Sequence, residues 1–210
     1  MLRLYLVRHG ETAENIQMRY LGVRDEPLTE HGLWQGRRLA EALSTLPIKL
    51  IVSSPMRRAA DTARQIQSAC GVELRLDERL AEGSFGRWEG LTRAEVLSLG
   101  DPNAEQLMRW ESDPSFAPPG GESMEDIQKR VTRLVDQLSR EFPNDSVVLV
   151  SHVGPIKALL AAALDVPLLV SRRWFLDPAT ISVVEWGAYP VLRLFNCHAH
   201  LGWNNARWMA

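Results

Sequence analysis

The sequence predicts an α/β protein, a three-layer α/β/α sandwich around a mostly parallel central sheet. One observation is the alternation of short apolar runs with longer segments of helical periodicity, the pattern of parallel strands joined by crossover helices. A second is a local echo. The runs Leu2 to Val7 and Val147 to Val150 each lead into a histidine with a glycine within two residues, in Arg8-His9-Gly10 and Ser151-His152-Val153-Gly154. Open α/β sheets bind ligands outside the carboxyl ends of their strands. Both histidines are therefore expected at one sheet edge.

The elements follow in order. Leu2 to Val7 is rich in aliphatics, ends near Gly10 and reads as a buried strand. Thr29 ahead of Glu30-His31-Gly32-Leu33 marks a helix start, with apolar residues at Leu33, Leu39, Ala42 and Leu43. Lys49 to Ser53 is a second strand and Met56 to Cys70 a second helix. Val72 to Leu76 alternates apolar and polar residues, as a strand near an edge does. Glu82 to Ser123 is irregular, with a turn region Phe85 to Gly90 and a proline- and glycine-dense loop from Asp113 to Gly121. Ser123 and Asp126 open a helix to about Phe142, carrying Ile127, Val131, Leu134, Val135 and Leu138 on one face. Pro155 is expected at the first helical position ahead of Ile156 to Leu164. Two last strands, Ile181 to Trp186 and Val191 to Phe195, precede a polar tail.

The 210 residues, 45% hydrophobic and 24% charged, suit one domain over 1–210 with a core that needs no disulfide or structural metal. A net charge of −2 argues against a nucleic-acid partner. The apolar stretch Ala158 to Val170 is broken by Asp165 and Pro167 and is too short for a bilayer. Met1 to Val7 is too short for a signal-peptide core, and two cysteines, Cys70 and Cys197, fit a reducing compartment. A cytoplasmic protein is expected, monomer or homodimer.

The chemistry begins at Arg8-His9-Gly10. A neutral imidazole can attack phosphorus, a neighbouring guanidinium can fork onto phosphate oxygens, and Gly10 is expected to leave room for substrate. The same tripeptide also fits a core histidine beside a surface arginine. His152 shifts the balance, because it stands before a helix whose N-terminus offers unpaired N–H groups to an anion. Ser53-Ser54-Pro55-Met56-Arg57-Arg58-Ala59 repeats the plan of strand, turn and helix, with arginines where a helix start disfavours cations unless an anion is present. An acid to protonate a leaving oxygen could be Glu78, Glu82 or Glu89.

Arg8-His9-Gly10-Glu11-Thr12-Ala13-Glu14-Asn15 resembles the signature of the histidine phosphatases, the superfamily that includes cofactor-dependent phosphoglycerate mutases. Ser54 to Ala59 with Thr62-Ala63 is similar to its second arginine motif, Arg79 to Gly90 to its acid motif, and Val150-Ser151-His152 to its second-histidine motif. The resemblance runs in order over nearly the whole chain and implies a phosphoglycerate mutase-like fold. It implies that His9 accepts the phosphoryl group, that Arg8, Arg58 and His152 hold phosphate oxygens, and that Glu82 is the acid. It implies a phosphate contact from Asn15, and neither metal nor cofactor. One departure is Val153, where glycine commonly follows the second histidine; the expected effect is on substrate fit.

Arg19-Tyr20-Leu21-Gly22, with Asp25 and Pro27-Leu28-Thr29, is similar to a segment of the α-ribazole phosphatases and broad-specificity phosphatases, and Pro118 to Ser123 looks like that branch. The resemblance adds Leu21 and Gly22 to the substrate-binding candidates. It implies a hydrolase for small phosphomonoesters, with α-ribazole 5′-phosphate, a cobalamin precursor, as leading substrate and a broad phosphatase as alternative. A mutase or a non-catalytic phosphate-binding module ranks lower. The competitor from another class is a metal site at Cys197-His198-Ala199-His200, although its spacing fits no common zinc framework. His200 is a further candidate for substrate contact. Of the tryptophans, Trp34 and Trp110 read as packing, Trp88 as a lining of the site, and Trp174, Trp203 and Trp208 as a candidate partner surface.

Overall fold

The computed structural model describes residues 1–202. Six strands form one sheet: β1 (Leu2–Arg8), β2 (Ile48–Ser53), β3 (Glu73–Leu76), β4 (Ser146–Ser151), β5 (Ile181–Trp186) and β6 (Val191–Cys197). Their order is β3-β2-β4-β1-β5-β6. The first four are mutually parallel; β5 and β6 add an antiparallel flank, so the sheet is mixed with a parallel heart. β3 is the edge strand its alternation suggested.

The helices are α1 (Ala13–Ile16), α2 (Glu30–Leu43), α3 (Arg57–Cys70), α4 (Arg93–Ser98), α5 (Asn103–Ser112), α6 (Met124–Glu141) and α7 (Val153–Ala163). Side-chain alternation along the strands divides the core into two. Leu4, Leu6, Val147 and Leu149 point to the layer of α6 and α7, where Val131, Leu134, Leu138 and Leu159 meet them. Tyr5, Val7, Val148 and Val150 point to the opposite layer, against Leu39 and Leu43 of α2 and Ala59, Ala63 and Ile66 of α3. The five apolar residues expected on one face of α6 are its buried residues.

Two sequence expectations need correction. Helix α7 starts at Val153, with His152 as its N-cap residue, so Pro155 is the third helical position rather than the first. Proline is tolerated there because the N–H groups of a helix's first turn have no intrahelical acceptor. The stretch Glu82 to Ser123 also holds two helices. Thr92 caps α4 with a full capping box closed by Glu95, the Thr-x-x-Glu signal of a helix start. These helices and the turn around Trp88 form a small third cluster of Trp88, Val96 and Leu107 beyond the sheet. No helix among the described residues is long and apolar enough to cross a membrane.

Candidate active site

All four parallel strands deliver site residues at their carboxyl ends. β1 ends in Arg8 and His9, β2 leads to Ser54 and Arg58, β3 to Glu82, and β4 to His152. β1 and β4 are neighbours, with Arg8 opposite Ser151. That register sets the next residues side by side, and the His9 and His152 rings lie 5.0 Å apart between centroids. Both are buried, at 3% and 0% exposure.

Hydrogen bonds fix the state of His9. Nδ1 lies 2.7 Å from the Gly10 carbonyl oxygen, which can only accept, so Nδ1 carries the proton and Nε2 keeps its lone pair. Burial holds the imidazole well below its ordinary pKa, and the Arg58 and Arg8 charges push the same way. His152 is likewise held down by burial first, then by Arg58, His9 and Arg8. Burial thus favours its neutral form. Its Nε2 lies 2.8 Å from Ser54 Oγ, and its Nδ1 has no hydrogen-bond partner among the described residues.

Arg58 is fully buried, and burial lowers its pKa. Its Nη1 donates to the Arg24 carbonyl at 2.7 Å and its Nη2 to the Gly22 carbonyl at 2.8 Å, while Nε has no partner among the described residues. Arg57, its neighbour, is exposed and pairs with Asp61. Arg8 donates to the Leu176 carbonyl. Asn15 accepts from Thr12 N–H at 3.1 Å while Thr12 Oγ1 accepts from Asn15 N–H, a reciprocal cap that fixes the Asn15 side chain. Arg8, His9, Asn15, Leu21, Gly22, Arg58 and Glu82 all line one cavity of about 140 Å³.

Glu82 sits where that cavity meets a second. Its carboxylate accepts from Gly83 N–H at 3.0 Å and from Gly154 N–H at 3.1 Å, the latter an otherwise unpaired donor at the start of α7. A Cβ at residue 154 would stand 2.4 Å from Glu82 Oε1, so the glycine one position after Val153 lets the carboxylate sit where it does. The Ser151 hydroxyl donates to the Leu80 carbonyl at 2.7 Å and Arg130 to the Arg79 carbonyl at 2.6 Å, tying the turn before Glu82 to β4 and α6. Of the other acids considered, Glu78 is exposed, and Glu89 Oε1 accepts from Val23 N–H, Phe85 N–H and the Ser84 hydroxyl.

The second cavity, about 280 Å³, is walled by Tyr20, Phe85 and Trp110 and shares Tyr20, Glu82, Phe85 and Val153 with the first. Tyr20, Phe85, Trp110, Lys157 and Arg172 were not foreseen as lining. One signal was available: Lys157 is the only charged residue in the apolar helix VGPIKALLAAA, and lies four residues after Val153 on the same face.

Several expectations fall differently. Gly10 does not make room for substrate: a Cβ on it would lie 2.6 Å from the Gly32 carbonyl oxygen, so its smallness admits the first turn of α2. Trp88 is fully buried in the third cluster and lines neither cavity. Trp34 stacks on His31, and Trp110 lines the second cavity. His200 is turned from both cavities; its Nε2 bonds the Ala179 carbonyl at 2.9 Å and its own carbonyl accepts from Arg38. No group of three or more His, Cys, Asp or Glu among the described residues could hold a metal ion. Trp174 packs against Phe195 with ring centroids 6.1 Å apart, whereas Trp203 and Trp208 lie outside the described residues.

The model of the histidine phosphatase superfamily, branch 1, matches residues 4–197. The chain belongs to the histidine phosphatase superfamily. Within the superfamily it is 42% identical over 187 residues to a bifunctional protein of Mycobacterium tuberculosis, a match covering 89% of this chain and 50% of the relative. The chain thus spans about half the length of that relative. It is 40% identical over 174 residues to the glucosyl-3-phosphoglycerate phosphatase of M. tuberculosis, covering 79% of this chain and 77% of that one. Among solved structures, a mutant phosphoserine phosphatase of Entamoeba histolytica in complex with phosphoserine superposes with a TM-score of 0.85 at 31% identity, covering 96% and 100% of the two chains.

Proposed function

We propose that this chain is a phosphomonoesterase that carries the phosphoryl group on His9. The observation that supports this most is the state of His9: buried, neutral, with its proton on Nδ1 and its Nε2 lone pair available in a cavity lined by Arg8 and Arg58. The Nε2 lone pair forms the N–P bond as the ester P–O bond breaks, and protonated Glu82 gives its proton to the departing alcohol oxygen. Water then attacks phosphorus and returns a proton to Glu82 as the N–P bond breaks, releasing phosphate. Arg8 and Arg58 offset the charge on the equatorial oxygens, the electrostatic part of phosphoryl transfer. The arriving dianion raises the pKa of His152, so that its imidazole takes up a proton and becomes a third cation. Asn15, Leu21 and Gly22 bound the phosphate side of the pocket. No step is assigned to a metal, and activity is expected to persist through exhaustive chelation.

For the leaving alcohol, the aromatic wall of Tyr20, Phe85 and Trp110 suits stacking on the base of α-ribazole. Two of the relatives named above are instead a glucosyl-3-phosphoglycerate phosphatase and a phosphoserine phosphatase. Weight therefore moves to small phosphorylated metabolites, with α-ribazole 5′-phosphate kept as a comparison substrate.

The deciding experiment mixes enzyme with 32P-labelled monoester and quenches in alkali within one turnover. A base-stable, acid-labile phosphoprotein is expected in the parent chain and none in His9→Ala. Equal labelling of both, or conversion of 3-phosphoglycerate to its isomer faster than hydrolysis, would overturn the reading.

A further inference from the structure

The larger cavity holds charge that the phosphoryl-transfer steps do not use. Lys157 and Arg172 both line it, beside Glu82. Lys157 is half-buried on α7, and its ammonium group makes no hydrogen bond or ion pair among the described residues. Arg172, from the turn Leu168–Arg173, lies with its guanidinium carbon 4.1 Å from the Trp110 ring centroid and donates to the Trp110 carbonyl. Among the described residues no carboxylate forms an ion pair with it. The other acid in the lining, Glu122, is already held by a bidentate pair with Arg130 at 2.8 and 2.9 Å.

Two cations without carboxylate partners in a partly desolvated cavity are unfavourable unless an anion joins them. The strain is visible at Lys157, whose pKa falls to about 8 through burial, with Arg8 and Arg172 acting in the same direction. Arg172 is also lowered by burial. The phosphate cannot serve both places, because it must sit at His9 in the neighbouring cavity.

We propose that Lys157 and Arg172 form a second anion subsite that binds a carboxylate on the leaving alcohol. The chain then selects phosphomonoesters of hydroxy acids over those of neutral or cationic alcohols. This rests on the phosphomonoesterase reading and names its substrate class. Phosphate at His9 and carboxylate at Lys157 bracket Glu82, which places the ester oxygen beside the acid that protonates it. The aromatic wall then flanks the carbon skeleton between the two anions.

Two matched pairs isolate the carboxylate. 3-Phosphoglycerate differs from glycerol 3-phosphate, and phosphoserine from phosphoethanolamine, only at that group. The parent chain is expected to favour the acid of each pair by about 10- to 100-fold in kcat/KM, as for hydrogen bonds to charged groups. Lys157→Met should erase most of that preference through KM, with kcat on p-nitrophenyl phosphate within about twofold of the parent, since the residue makes no bond to the transferring group. Arg172→Gln should act in the same direction, and Lys157→Arg should restore part of the preference.

Equal kcat/KM for both members of each pair, or an equal loss on both in Lys157→Met, would overturn the subsite while leaving hydrolysis of p-nitrophenyl phosphate intact. If the parent hydrolyses no ester, the phosphatase reading fails separately. Calorimetric titration of parent and Lys157→Met with 3-phosphoglycerate and glycerol 3-phosphate then decides the subsite. Tighter binding of the acid by the parent alone supports it, and equal binding rejects it.

Discussion

The two cavities share Glu82 but are held in place by different means. The phosphate-side cavity hangs from the ends of four parallel strands, and backbone register sets His9 beside His152. The alcohol-side cavity is walled by side chains from the 19–24 loop, the Phe85 turn, α5, α7 and the Leu168–Arg173 turn. Its aromatic wall of Tyr20, Phe85 and Trp110 leans on the cluster of Trp88, Val96 and Leu107, while Met124 and Ile127 belong to the core under the sheet. A site fixed by strand register leaves each residue little freedom of place. A site fixed by side-chain packing can change occupant through a few substitutions without disturbing the transfer chemistry.

That contrast can be broken or sharpened by experiment, the largest effect first. His9→Ala is expected to lose on the order of 10⁴ or more in kcat on every ester, as removal of a nucleophile does. A loss confined to some esters would mean that the alcohol side, not the register-fixed side, governs turnover. Glu82→Gln is expected to cost about 10² to 10⁴ on alkyl phosphates, the usual worth of an acid catalyst. On p-nitrophenyl phosphate, whose leaving group departs without a proton, the loss should be far smaller. Equal losses on both would remove the proton-donor assignment.

Gly154→Ala tests how Glu82 is seated. The new Cβ would meet its carboxylate at 2.4 Å, and the displaced acid is expected to cost about 10- to 100-fold on alkyl phosphates. Because the neighbour is the end of a side chain rather than backbone, thermal unfolding should be nearly unchanged. Trp88→Ala tests the other region. Removing this fully buried ring should cost about 3–5 kcal/mol, read in a urea titration. Hydrogen exchange should quicken in Arg93–Ser112 before it quickens in the sheet, and KM should rise more than kcat falls. Uniform quickening would show that the outer cluster and the sheet form one cooperative unit.

The smallest effect is on pH. The folded pKa of His9 lies well below 6.5, so kcat/KM should hold its plateau through pH 6.5 and fall only at lower pH. The same shift, shared by His152, bears on stability. Above pH 6.5 neither state of the chain binds these protons; below it the unfolded chain takes them up first. Stability present above 6.5 is therefore lost as pH falls, by up to ~1.4 kcal/mol per pH unit for each histidine. Urea midpoints from pH 8 to pH 5 measure the slope, and replacing His152 by Asn should reduce it.

The same contrast explains what could be read from sequence. The strands, the helices α2, α3 and α6, and the meeting of His9 and His152 at one edge follow from local periodicity and from where strands end, whereas Glu82 was singled out from Glu78 and Glu89 by the family resemblance. Arg58 could be told from Arg57 only through the family motif, since both stand in the first turn of α3. The alcohol side was not legible, because Tyr20, Trp110 and Arg172 meet through contacts between segments far apart in the chain. No periodicity records such a meeting. Trp88 was misplaced for that reason: a tryptophan in an irregular stretch looks like a pocket wall until its own small core is seen. Gly10 was misread because its partner is a backbone carbonyl in α2.

The strand that carries His9 pairs on both sides with strands far from it in sequence. β1 pairs with Ser146–Ser151 on one side and Ile181–Trp186 on the other. Pairing between distant segments, and not local structure, therefore seats His9. His9 N–H donates to the carbonyl of Ser151, and its own carbonyl accepts from the N–H of Ala179. Opening of β4 or β5 away from β1 would therefore unseat His9, so the order of this residue is tied to the order of the sheet's parallel heart.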